Sequence, residues 1–214
     1  MTAIAPEAQA APQEQGVSAT DWQAFMDWPS TYIDADRLDA CFEGRLGRDL
    51  SGRLRVVPRL RQRVSWIIAE HYGLTAPVPL ASCEERDRAI ALAAPERIGE
   101  IARRSGAIYW ARAIAGVVRS SDVAALHREL DEALCSFALA HRDLAGAQAL
   151  PAVEGIGARC TEDGLRCVAA WAHVLPEAVG QRVHLKLAAH PALETTPQPP
   201  FSEIGPAIVR RAAA

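Results

Sequence analysis

Between Asp122 and Leu144, apolar residues recur at Val123, Leu126, Leu130, Leu134, Phe137 and Leu144, with His141 in the same register, at intervals of three or four. That is the spacing of one helix face, and a strand, whose side chains change sides at every residue, cannot keep it. The pattern predicts a helix of about six turns with one apolar edge. Packing of that edge within its own domain is preferred over a coiled-coil seam between chains, because sustained heptads are rare. A chain that must bury such an edge is committed to helix-on-helix layers.

Similar stripes, punctuated by proline and glycine, run through most of the sequence. Ser18 or Thr20 can cap a helix through Trp22, Phe25 and Met26 that must stop before Pro29. Asp34 can cap a second, with Leu38, Cys41 and Phe42 on one face before Gly44. Pro58 suits the first turn of a third, with Leu60, Val64, Ile67 and Ile68 as its stripe and Gly73 as its C-cap. Ser82 and Glu85 read as a capping box ahead of Ile90 and Leu92, Pro95 starts a helix carrying Ile98 and Ile101, and Gly106 reads as a joint before the apolar run Ile108–Val118. Gly155 and Gly157 make a loop, after which Thr161 can cap a helix through Leu165, Val168, Ala172 and Leu175 that ends at Pro176. Val183, Leu185 and Leu187 alternate with Arg182, His184 and Lys186, which predicts a short strand or extended segment.

The ends read differently. Residues 1–16 are rich in Ala, Pro, Gln and Glu with no apolar period, and residues 191–214 are rich in Pro, with a docking turn at Ile204, Ile208 and Val209. The expected architecture is therefore mainly α: one helical domain over 17–190 with about seven to nine helices, room for one short strand pair, and flexible tails at 1–16 and 191–214.

Arginines, acids or prolines interrupt every apolar run, so no segment reads as membrane-spanning, and the N-terminus does not read as a secretory signal. A cytosolic location is expected. Five scattered cysteines, Cys41, Cys83, Cys135, Cys160 and Cys167, then read as reduced, buried thiols. Lys186 is the only lysine.

Motifs of chemistry are missing. Cys160, Cys167 and His173 lack the tight ligand pairs of a zinc site, and no cofactor or metal is expected. There is no Gly-x-Ser-x-Gly elbow and no glycine loop ending in Lys and Ser or Thr; Gly155-Ile156-Gly157 reads as a plain loop. The six histidines show no His-Glu-x-x-His pattern, and His141 reads as a boundary residue. A helical enzyme with Cys167 or His141 at a pocket remains a rival reading.

One charge feature stands out from the net charge of -3. Arg45, Arg48, Arg53, Arg55, Arg59, Arg61 and Arg63 meet only Asp49 across 45–63, a local excess of six positive charges. Guanidinium forks pair with carboxylates or phosphates, so this stretch reads as an acidic protein partner's site, a nucleic-acid site or a solvated face. Overall acidity and the lack of aromatics within the stretch count against nucleic acid. Arg53, Arg55, Arg59, Arg61 and Arg63 are the candidate partner-binding residues.

Gly164, Cys167, Trp171, Leu175 and Pro176, followed by Arg182-Val183-His184-Leu185-Lys186-Leu187, resemble the C-terminal part of the accessory K-type (SctK, YscK, PscK, with Hrp counterparts) proteins of bacterial type III secretion systems. Arg104, Gly106, Tyr109 and Phe137-Ala138-Leu139 add to the resemblance, which spans about Trp28 to His190. It implies a non-catalytic cytoplasmic adaptor of the sorting platform, peripheral at the cytosolic face of the secretion apparatus. Such an adaptor links the cytosolic domain of the inner-membrane ring to pods built from the Q-type protein and is needed for protein secretion. The family pattern carries no contact residues over. The alternative from the residues alone is a helical nucleic-acid-binding regulator using the arginine stretch.

Overall fold

A computed structural model describes residues 18–147, 149 and 152–214. The expected tail at 1–16 lies outside the described residues. Within them the chain forms twelve α-helices and four short 3-10 turns, and no strand. The helices are α1 (Ala19–Asp27), α2 (Ala35–Ala40), α3 (Gly47–Arg55), α4 (Arg61–His71), α5 (Glu85–Leu92) and α6 (Pro95–Ala115). They continue as α7 (Ser120–Leu130), α8 (Glu132–Ala140), α9 (Ile156–Val174), α10 (Glu177–Leu185), α11 (Pro191–Glu194) and α12 (Phe201–Ala213).

The chain is thus mainly helical, with more helices than the seven to nine expected. The Ser18 hydroxyl accepts from the Thr20 and Asp21 amides at the start of α1, and the Asp34 carboxylate from Asp36 and Arg37 at the start of α2. Both caps satisfy amides that have no partner inside the helix. Ser82 does not do the same: it sits in a 3-10 turn, and α5 starts after Glu84 with no side-chain cap bond. α9 begins at Ile156, earlier than Thr161, because the Glu129 carboxylate accepts from the Gly155 and Gly157 amides at 2.9 and 3.0 Å.

The six-turn helix expected over 122–144 is divided. Asp131 takes a left-handed φ of 59° and its carboxylate caps α8 by accepting from the Leu134 amide at 2.7 Å. The apolar register survives the break: Leu126, Leu130, Leu134 and Ala138 are buried in one cluster with Ala107, Ala111 and Ile114 of α6. Packing within the domain keeps the period while a local capping bond ends the helix.

The predicted joint at Gly106 is a second correction. α6 runs unbroken for 21 residues, and Gly106 lies where its backbone crosses α9. A Cβ there would stand 1.7 Å from the Cys160 carbonyl oxygen, and one at Gly164 would stand 1.9 Å from the Ala102 carbonyl oxygen. The two glycines let the central helices approach at backbone distance, which any larger residue would forbid. Around this crossing Ile98, Ile101, Ile108, Val168 and Trp171 form the main core.

The expected strand at Val183–Leu187 is the end of helix α10 and the residues that follow it. Val183, Leu185 and Leu187 are buried, and so are Arg182 and Lys186. A helix enclosed on several sides loses the one-sided pattern that identifies helices in sequence, and a period of two arises by coincidence. The 191–214 tail is a further correction. Thirteen of its residues, Phe201–Ala213, form α12, so the docking expected at Ile208 and Val209 belongs to a full helix that lays them and Ala212 into the core against α9 and α6.

A smaller cluster lies to one side. Ile33, Leu38, Val64, Ile68 and Leu185 bring α2, α4 and the end of α10 together, and α3 packs on α2. The Asp34 amide donates to the Leu185 carbonyl at 2.7 Å and Arg37 Nε to the Leu187 carbonyl at 2.6 Å, fixing this lobe to the main core. No described helix is long and apolar enough to cross a membrane.

Candidate partner-binding face

The arginine stretch folds as an elbow on this lobe: α3, a 3-10 turn at Pro58–Leu60, then α4. The sequence reading gave α3 no helix of its own. Its entry is held by Asp39, whose carboxylate accepts from the Leu46 and Gly47 amides at 2.8 and 3.0 Å. Pro58 opens the turn where a missing N–H is harmless. α4 is anchored by Val64 and Ile68 and by a 2.9 Å hydrogen bond between the Ser65 and Ser30 hydroxyls. That anchoring turns Gln62, Arg63, Trp66 and Glu70 outward.

The five candidate arginines occupy this elbow without forming one flat cluster. Arg53, Arg59 and Arg61 are exposed and make no side-chain hydrogen bond or ion pair among the described residues. Arg63 lays its guanidinium 4.5 Å from the centre of the Trp66 ring, a cation–π contact. Arg55 is half-buried; its Nη2 donates to the Thr31 carbonyl at 3.5 Å and its Nε has no partner. Arg61 and Arg63 project roughly 160° apart around α4. Arg61 instead lines a shallow groove of about 520 Å³ with Trp28 and Ala24 of the α1 region. The other two arginines of the stretch are engaged, Arg45 with Glu43 and Arg48 with Asp36.

Three apolar neighbours were missed in the sequence. Val56 is 76 % exposed, Trp66 51 % and Leu50 42 %. Their exposure was partly readable: Trp66 falls off the Val64–Ile68 stripe by half a turn, while Val56 sits at the end of α3 with no stripe to join. The elbow therefore combines unpaired guanidinium groups with protruding apolar side chains.

The other candidates are apart from it and from one another. Cys160 and Cys167 are fully buried in different clusters, while His173 is exposed. Burial raises both thiols, Cys160 to about 12 and Cys167 further, which disfavours the reactive thiolate in each. Among the described residues no three His, Cys, Asp or Glu side chains form a metal-holding group. His141 packs edge-on against Phe137 and lies 3.4 Å from Arg211.

A cavity of about 440 Å³ between α9, α10 and α11 brings together His173, His184, Glu177 and Glu194. Burial lowers the His184 pKa and favours the neutral ring, while Glu194 is held by Arg37 and Glu177 accepts from Gln181. The hydroxyls lining the cavity are those of Thr195 and Thr196, and Thr195 Oγ1 donates to the Pro191 carbonyl at 2.8 Å. Comparison with protein-family models, with curated proteins and with solved structures found no match to this chain.

Proposed function

We propose that this protein is a non-catalytic cytoplasmic adaptor of a bacterial type III secretion system. It sits peripherally at the cytosolic face of the apparatus, links the inner-membrane ring to the sorting-platform pods, and is needed for secretion. The observation that carries the adaptor reading is the α3–α4 elbow, where unpaired Arg53, Arg59 and Arg61 adjoin exposed Val56 and Trp66. Groups left unpaired and apolar side chains left in water are what a binding face offers. The assignment to a secretion system rests on the resemblance of Gly164 through Leu187 to the K-type family. In this fold those residues have architectural work: Gly164 permits the α6–α9 crossing, and Trp171 and Arg182 hold the core. Affinity capture of the tagged chain from cells with an assembled apparatus tests the proposal. Ring and pod components should be recovered together, and recovery of neither counts against it.

A second reading, a nucleic-acid-binding regulator, draws on the Arg63 guanidinium stacked over exposed Trp66, since bases stack on such pairs. It predicts retention on DNA that falls steeply with salt, and no retention at about 50 mM salt ends it.

A further inference from the structure

We infer that the α3–α4 elbow docks on an anionic phospholipid surface, so that the chain meets a membrane from the side without crossing it. This rests on the adaptor reading and names what one face of the adaptor touches. Three observations converge on the elbow. Its free charge is predominantly positive: Arg53, Arg59 and Arg61 have no carboxylate partner among the described residues, against exposed Asp49 and Glu70, although the whole chain is net negative. A local basic patch on an acidic molecule orients that molecule toward an anionic surface rather than attracting it from all sides.

The second observation is the shape of the apolar part. Val56, three-quarters exposed, ends α3 immediately before the 3-10 turn, and Trp66 and Leu50 are each about half exposed on the flanking helices. These side chains protrude from the elbow. A rigid protein partner would need a matching pocket for each, whereas the headgroup layer yields around any knob that enters it.

The third is the chemistry of the pairing. Trp favours the membrane–water interface because its ring is apolar and its N–H is polar, and Arg63 stacked on Trp66 keeps a cation at that depth. Arginine stems lie along apolar surface while their guanidinium forks take lipid phosphates bidentately. An acidic protein surface would account for the arginines but leaves Val56 in water. Nucleic acid would use Trp66 but has no use for Val56 and Leu50.

Co-sedimentation with vesicles of equal parts phosphatidylglycerol and phosphatidylcholine, beside vesicles of phosphatidylcholine alone and beside duplex DNA, tests the inference. The full-length chain should partition to the anionic vesicles and not to the neutral ones. Its tryptophan emission should shift to the blue on binding, and Trp66→Phe should abolish that shift. Arg53→Gln and Arg59→Gln should each lower the partition about fivefold. Val56→Ser, on an exposed position, should lower it severalfold with little change in its salt dependence.

Equal binding to both kinds of vesicle, or to neither, overturns the inference. So does binding to DNA at the same salt with no emission change from Trp66 on vesicles, since that is nonspecific attraction to phosphate. Failure with vesicles alongside recovery of ring and pod components in affinity capture removes the lipid inference alone. Vesicle binding without such recovery removes the secretion adaptor alone.

Discussion

Arg210 forks onto Asp87, with Nε 2.9 Å from Oδ1 and Nη2 2.8 Å from Oδ2, and the Trp171 indole N–H adds a third bond to Oδ1 at 2.9 Å. The three residues come from α12, α5 and α9, so one carboxylate fastens the C-terminal helix to the middle of the core. Burial pushes the Asp87 carboxyl up, but hydrogen bonds from Arg210 and Trp171 and the Arg210 charge outweigh it and hold the pKa below its ordinary value. A group lowered in this way stabilises the fold fully above its unfolded pKa, and the contribution is lost as pH falls through the folded value.

Removing one partner should therefore cost more than removing both. Arg210→Met leaves a buried carboxylate without its cation and should destabilise by about 3 kcal/mol, while Arg210→Met with Asp87→Leu should recover much of that loss. Urea unfolding of the single and double variants at neutral pH measures it. Acid unfolding of Asp87→Asn should lose the component that wild type shows below the ordinary value of 3.8.

The same contact makes α12 part of the domain. Deletion from Phe201 onward uncovers the α9 face on which Ile208 and Val209 are fully buried. Each such side chain contributes about 1.5–3 kcal/mol by burial, so the truncated chain should unfold at lower urea or aggregate. An unchanged transition midpoint would mean α12 is dispensable.

Glycine substitutions should separate into two classes. Gly106→Ala and Gly164→Ala place a methyl within 2 Å of a facing carbonyl oxygen and should each cost at least about 2 kcal/mol. Gly52→Ala and Gly99→Ala, also within helices but with nothing within 4 Å of the new Cβ, should each stabilise by about 0.5–1 kcal/mol. Thermal melts of the four variants decide it.

Lys186 is enclosed with no acidic partner among the described residues. Its ammonium donates to the Ala91 and Ala93 carbonyls at 2.6 and 2.7 Å and faces the Phe25 and Tyr32 rings, and burial lowers its pKa to about 8. Below pH 8 both folded and unfolded chains carry the proton, and the fold bears the full desolvation cost. Between about 8 and the ordinary 10.5 only the unfolded chain keeps it, so this term favours folding increasingly as pH rises. Its size is on the order of 3 kcal/mol. Half-buried Cys41 and buried Cys83, both raised to about 11, act in the opposite direction above pH 9, so the test is the difference between wild type and Lys186→Met. Because Lys186 is the only lysine, acylation of the native chain should spare it and acylation in denaturant should not.

What sequence could reveal divides along the range of the forces involved. Ser18 and Asp34 act within three residues, and their helices were legible. Gly106 follows a local rule for breaking helices, yet the fold uses it for an approach to a residue 54 positions away. Arg182 and Lys186 are buried because backbone carbonyls from Met26, Thr75, Ala91 and Ala93 receive them, and nothing near them in sequence announces those carbonyls. Proline content hid α12, whose buried residues, Ile208, Val209 and Ala212, show their use only against α9. At the elbow the arginines were countable, but the protrusion of Trp66 depends on which side of α4 the Ile33–Leu38 cluster takes.

Affinity capture with a charge-reversed elbow, Arg53→Glu with Arg59→Glu and Arg63→Glu, beside wild type in cells carrying an assembled secretion apparatus, bears on the whole reading. Wild type should recover ring and pod components, while the variant, folded by its unchanged melting transition, should lose one set and block secretion. Equal recovery by both proteins, with secretion intact, would contradict a protein-binding role for this face.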